Sequence, residues 1–213
     1  MSDADRSLAD FRKSAVLRDG AAVCVRAIRP DDKERLRMAF ARLSGRSVYQ
    51  RFFHPVNQLA PDELRRFTEV DFRDHVAIVM TVGAGGEERL IAVGRYVRVA
   101  TGGPTAEVAF TVVDDYQGRG AATLLLHELI RIARHRGVLE FVALVLDDNL
   151  PMLEVFRRSK LLSRESRADG VCLVILDVAA ARGPRHFALR DAIRTQWRQF
   201  ASVSSRERGY ARA

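Results

Sequence analysis

The spacing of apolar positions changes several times along the chain, and each change predicts an element. Residues 22–28 (AVCVRAI) alternate and read as a strand. Pro30 then suits a helix start, with Asp31 and Asp32 in the first turn. Leu36, Phe40 and Leu43 recur at helical spacing beyond it. Further helical stretches are predicted over about 45–53 and from Pro61 to about Glu69. The period then shortens. Residues 75–82 (HVAIVMTV), 90–99 (LIAVGRYVRV) and 105–113 (TAEVAFTVV) read as strands, separated by the turn signals GAGGEE and TGGP. Three strands on short connections predict an antiparallel meander. The clearest helix spans 121–136. Ala122, Leu125, Leu126, Leu129, Ile132 and Ala133 form its apolar face, Arg134, His135 and Arg136 occupy its last turn, and Gly137 caps it. A strand at 141–146, a helix near 151–159 and a strand at 171–178 follow. Residues 1–16 read as a polar leader with a short helix around Leu8 and Phe11. The fold class is α+β, a mixed sheet with helices on its faces.

Composition narrows the setting. The chain has 213 residues and is 47% hydrophobic, enough for one domain plus some extra chain. No apolar run approaches the roughly 18 residues of a membrane span, and MSDADRSLAD is too acidic for a signal peptide, so a cytoplasmic location is expected. Cys24 and Cys172 both sit in strand-like runs and read as small buried hydrophobes. The histidines are scattered without metal-ligand spacing, and no metal is expected.

Dividing the charge changes the picture. Of the formal +8, residues 179–213 contribute eight arginines against Asp191 and Glu207, a net +6, leaving +2 for residues 1–178. The expected organisation is an N-terminal extension (1–20), one domain (21–178) and a basic tail (179–213). In the tail Leu189, Ile193, Trp197 and Phe200 recur at i, i+4, i+8 and i+11, predicting an amphipathic C-terminal helix. Its apolar stripe suits packing on the domain or on a second subunit, as in a homodimer. Binding to nucleic acid, an acidic partner or an anionic membrane surface is the second reading.

Between the third meander strand and the long helix lies DDYQGRGAA, residues 114–122. An ordinary turn is one reading of its glycines. A dinucleotide site needs a third glycine where position 123 is threonine, and an antiparallel meander does not belong to that fold. A cradle for another phosphorylated cofactor fits best. Residues 117–122 can turn successive N–H groups toward one point at the helix N-terminus, with Arg119 as a cation at the rim.

QGRGAA at a strand-to-helix junction resembles the coenzyme A pyrophosphate loop of the GNAT acetyltransferases. Their signature, Gln or Arg, two residues, Gly, one residue, Gly or Ala, is matched by Gln117, Gly120 and Ala122. The element order over residues 22 to about 178 agrees. The resemblance implies a GNAT-like, mostly antiparallel sheet with helices on both faces. It implies acetyl-CoA as co-substrate, held by Gln117, Gly118, Arg119, Gly120, Ala121, Ala122 and Thr123. The stretches LRDGAAVCVRAIRPDD, LSGRSVYQRFF, AEVAFTVVDDYQGRG and DDNLPM further resemble the catalytic domain of bacterial Pat-type protein lysine acetyltransferases. In that group the domain is usually fused to a cyclic-nucleotide-binding or acyl-CoA-synthetase-like domain, and neither is read in this sequence.

Strand alternation puts Ala106, Val108, Phe110 and Val112 on one face and Glu107, Ala109, Thr111 and Val113 on the other. By spacing alone Glu107 reads as an edge carboxylate in solvent; the Pat-like motif implies that it is the general base. A lysine amine must lose a proton before it attacks a thioester. Backbone N–H groups near Val112 would polarise the thioester carbonyl. A common GNAT pattern places an asparagine here, at Asn149, and a thiolate-protonating tyrosine seven residues later, where this chain has Phe156. Water or another tyrosine then supplies that proton, and Asn149 either holds the pantetheine arm or caps the next helix. SVYQRFF reads as core aromatics with a surface arginine, or else as one wall of the acceptor site. The expected function is N-acetyl transfer to an amine, a protein lysine first. A small-molecule amine acceptor and a non-catalytic acyl-CoA sensor are the alternatives.

Overall fold

The computed structural model describes residues 3–179. The tail helix predicted from Leu189 to Phe200, with its proposed dimer contact, lies outside the described residues. Eight strands form one sheet: β1 (Arg12–Val16), β2 (Ala22–Ala27), β3 (His75–Val82), β4 (Arg89–Arg98), β5 (Thr105–Val112), β6 (Glu140–Leu146), β7 (Leu162–Ala168) and β8 (Val171–Asp177). Their order is β1-β2-β3-β4-β5-β6-β8-β7. Every pairing is antiparallel except β5 with β6. The α+β class and the β3–β5 meander are as the periodicity predicts. The leader is so only in part: the short helix expected around Leu8 is α1 (Asp3–Ala9), with Leu8 buried, but residues 12–16 form an edge strand in register with β2.

Helices cover both faces. α2 (Lys33–Phe40), α3 (Gly45–Phe52) and α4 (Pro61–Thr68) lie over one face, and α5 (Ala121–His135) crosses the other. β3 and the middle of β4 are buried along nearly their whole length, which is why they read as continuous apolar runs. α5 sits close to the sheet because β4 carries Gly94 at the crossing. A Cβ there would lie 3.1–3.2 Å from Phe110, Leu125 and Leu129. α6 (Leu150–Arg158) buries Phe156, whose ring centroid is 6.1 Å from that of Phe110.

A buried ion network fixes the first helical segment to the sheet. Arg26, 1% exposed, donates from Nη1 and Nη2 to the two Asp32 oxygens at 2.7 Å each. It also donates to Glu88 from Nε and Nη2 at 3.1 Å. Asp32 lies in the first helical turn as predicted and is there a fully buried counterion. Cys172 is buried as expected, whereas Cys24 is only partly covered; both are free thiols. Among the described residues no helix is long and apolar enough to cross a membrane.

Candidate active site

The parallel pairing of β5 and β6 is short. Thr105, Ala106 and Glu107 pair with Glu140, Phe141 and Val142, and there the ladder stops. β5 continues to Val112 against β4, while β6 continues to Leu146 against β8. A gap opens in the middle of the sheet, with Glu107 at its closed end. Val113 donates its N–H to Ile91 O at 2.9 Å. Because successive strand residues point their N–H groups to opposite sides, the N–H of Val112 faces the gap. The carbonyl of Val112 on that side accepts from Gln117 Nε2 at 3.1 Å.

The glycine loop closes the open end of the gap. Gly118 and Gly120 have φ of 72° and 92°, values that glycine adopts without steric cost. Gly120 precedes α5 without a side-chain cap. Among the described residues, no acceptor receives the N–H groups of residues 118–123. This leaves Gly118, Arg119, Gly120, Ala121, Ala122 and Thr123 as a cluster of free donors at the positive end of a fifteen-residue helix. Such a nest suits a diphosphate.

The cations arrange themselves differently from the sequence reading. Arg119 pairs with Asp19 at 2.8 Å and lies over the Tyr116 ring at 5.0 Å, so its charge is largely matched. The Arg119 carbonyl accepts from Arg18 N at 3.0 Å, tying the β1–β2 turn to the loop. The Arg18 side chain then lies against Gly120, its Nε 3.2 Å from where a Cβ would stand. Arg18 is exposed and makes no ion pair among the described residues. It was invisible in the sequence because a hundred residues separate it from the loop.

The other predicted residues divide. Burial raises the Glu107 pKa, with the Arg51 guanidinium partly opposing the rise. That environment is unlike the solvent-edge alternative. No hydrogen bond holds Glu107 among the described residues, leaving both oxygens available. Asn149 caps α6, its Oδ1 accepting from Met152 N at 3.3 Å. Gln117 turns its amide away from the nest, toward Val112 O, Ser47 Oγ and Asp114 Oδ1. Phe156 is 1% exposed and packed, so neither its chemistry nor its position supplies a proton. In SVYQRFF, Tyr49 is 48% exposed while Arg51 turns inward to line a cavity with Phe52. The reading of core aromatics holds for Phe52, packed against the core beside Phe40, and fails for the exposed Tyr49 and for Arg51 as a surface arginine.

Residues 44–160 match the model of the acetyltransferase (GNAT) family. The chain is similar to acetyltransferase Pat of Mycolicibacterium smegmatis, with 40% identity over 142 residues, 67% of this chain and 42% of that protein. It is also similar to acetyltransferase PA5475 of Pseudomonas aeruginosa, with 35% identity over 57% of this chain and 64% of that protein. The chain thus spans less than two thirds of the length of either curated relative. Among solved structures, the GNAT domain of S. lividans PAT superposes with a TM-score of 0.71 at 39% identity, covering 78% of this chain and 96% of that one.

Proposed function

The chain belongs to the acetyltransferase (GNAT) family, and from that premise we propose that it moves an acetyl group from acetyl-CoA to an amine, with Glu107 as general base. A protein lysine is the favoured acceptor, since relatives at 39–40% identity carry the name Pat. The observation that carries the proposal is the placement of Glu107 at the closed end of the β5–β6 gap, with the donor nest at the open end.

Each group then has one task. The N–H groups of residues 118–123 and the α5 dipole hold the diphosphate, and Arg18 adds charge at its edge. The Val112 N–H, facing the gap, donates to the thioester oxygen as negative charge develops on it. Glu107 accepts the proton from the amine directly or through one water, so the free amine forms the new C–N bond as the C–S bond breaks. Burial raises the pKa of Glu107 and so makes it a stronger base than an exposed carboxylate. The departing thiolate takes a proton from water or from a tyrosine, since Phe156 has none to give. The fold supports a domain at 21–178 with β1 added from the preceding segment.

Glu107→Gln tests the assignment. It keeps the side chain's size and removes its basicity. In a thiol-release assay with a lysine peptide, kcat should fall about 10²- to 10⁴-fold. Acetyl-CoA affinity and melting temperature should hold, and the remaining rate should climb as pH approaches the amine's own pKa. A near wild-type kcat at neutral pH removes Glu107 from the chemistry. A protein that binds acetyl-CoA but releases no thiol with any amine is an acyl-CoA sensor, the reading that Phe156 favours.

A further inference from the structure

The sheet face that carries Glu107 also encloses a small cavity beneath α2, α3 and α4. Its volume is about 40 Å³, room for a carboxylate or one or two waters. Phe40, Phe52, Phe67 and Val93 give it an apolar wall, and two guanidiniums, Arg51 and Arg95, enter it. Arg95 is only 8% exposed and stacks on Phe67 at 4.6 Å. Its polar partners are neutral: His75 Nε2 at 3.2 Å and the Phe67 carbonyl at 3.4 Å. Burial and Arg95 hold His75 uncharged, its pKa pulled down to about 4. Arg51 stacks on Phe52 at 5.2 Å and makes no ion pair among the described residues.

The same molecule shows how it otherwise treats a buried arginine. Arg26 has two carboxylates bound to it. Arg95 has none, and burial together with the repulsion of Arg51 and Arg66 pulls its pKa down to about 9. A guanidinium kept charged in an apolar wall is costly without an anion. Arg95 pairs in register with Ala109, and Glu107 with Val97, so Arg95 and Glu107 are diagonal neighbours on one face. Their backbones lie roughly 7–8 Å apart.

We propose that this cavity is a carboxylate subsite of the acceptor pocket, in which Arg51 and Arg95 hold an anion borne by the acceptor while Glu107 receives the proton of its amine. The inference rests on the acetyl-transfer reading and narrows its acceptor from amines in general to amines that carry, or adjoin, a carboxylate. It also answers an electrostatic problem. Two guanidiniums that share one nearby carboxylate, Glu107 beside Arg51, repel an approaching ammonium, and an anion on the same acceptor cancels that repulsion.

Two lysine peptides, one with glutamate beside the lysine and one with glutamine there, provide the test, together with glutarate as a free carboxylate. The glutamate peptide should show roughly 10- to 100-fold higher kcat/KM, the range of a charged hydrogen-bonded contact. Arg95→Met and Arg51→Met should each bring the ratio of the two peptides toward one. If Arg95→Met does not fold, the wild-type ratio and Arg51→Met carry the result. Glutarate should raise the wild-type melting temperature and compete with the glutamate peptide. A glutarate effect lost in the variants, with both peptides used equally, places a free acid in the subsite and overturns its assignment to the acceptor. Equal use of both peptides and no response to glutarate overturns the subsite altogether. Glutarate stabilisation without thiol release from any amine leaves the subsite standing and removes the acetyl-transfer reading.

Discussion

Replacing Gly118 and Gly120 with alanine, one at a time, separates backbone strain from ligand contact. Both glycines sit at positive φ, 72° and 92°. An L-residue there costs about 1–2 kcal/mol, and in a domain of this size each kcal/mol lowers Tm by roughly 2–4 °C. The two variants should therefore lose a similar few degrees. Their surroundings differ. A Cβ at Gly118 meets nothing within 4 Å, whereas one at Gly120 lands 3.2 Å from Arg18 Nε and 3.3 Å from its Cγ. Gly120→Ala thus crowds the Arg18 side chain and shifts it by a few tenths of an ångström, and Gly118→Ala leaves it in place. By calorimetry, acetyl-CoA should then bind Gly120→Ala more weakly than Gly118→Ala. Arg18→Ala removes the charged contact outright, worth about 1.5–3 kcal/mol, and should lower affinity roughly 10- to 100-fold with an unchanged Tm. Equal affinities in the two alanine variants, or full affinity in Arg18→Ala, refute the placement of Arg18 on the diphosphate.

Two predictions concern stability. Asp32→Asn leaves Arg26 buried with only Glu88 as counterion; urea unfolding should show a loss of about 3–5 kcal/mol, and a loss below about 1 kcal/mol would show the network to be incidental. His75 takes a proton near pH 6.5 when unfolded but only near about 4 in the fold. Between those values the unfolded chain binds more protons, so His75 costs no stability above pH 6.5 and removes about 1.4 kcal/mol per unit as pH falls toward 4. His75→Gln should flatten that part of the stability–pH curve, and an unchanged slope assigns the acid sensitivity to other groups.

What the sequence shows depends on where a residue's partners lie. β3 and β4 announce themselves because both faces are covered, β6 and β8 as apolar runs with one face buried and the other half-exposed in part, and α5 because one face is covered. The two strands that escape are β1 (RKSAV) and β7 (LSRESRA), the outer edges of the sheet. Edge strands carry charge, which guards them against pairing with other chains and hides them from hydrophobic patterning. The glycine loop was legible because its function is local, a backbone shape within a few residues. Glu107 stood out as the only charge in its strand. Arg18 and Arg95 did not, since nothing near them in sequence marks one as lying on a loop a hundred residues away and the other as buried beside a base. Asp32 was legible as a first-turn acid but not as a counterion, its partner Arg26 being on another element.

The three-residue pairing between β5 and β6 also has a mechanical meaning. The sheet is two plates, β1 to β5 and β6, β8 and β7, joined by a hinge at residues 105–107 and 140–142. α5, which donates from Arg134 to the Val178 carbonyl, and the Phe110–Phe156 and Tyr96–Phe141 ring contacts are among the other bonds between them. A molecule filling the gap touches both plates at once and acts as a clasp. Its binding energy is then shared with the cohesion of the fold, and the plate carrying β6, β7 and β8 is the part set to loosen first when the clasp is gone. Amide exchange there should slow on saturation far more than in β2 or β3, which makes the domain's own rigidity a record of whether it is loaded.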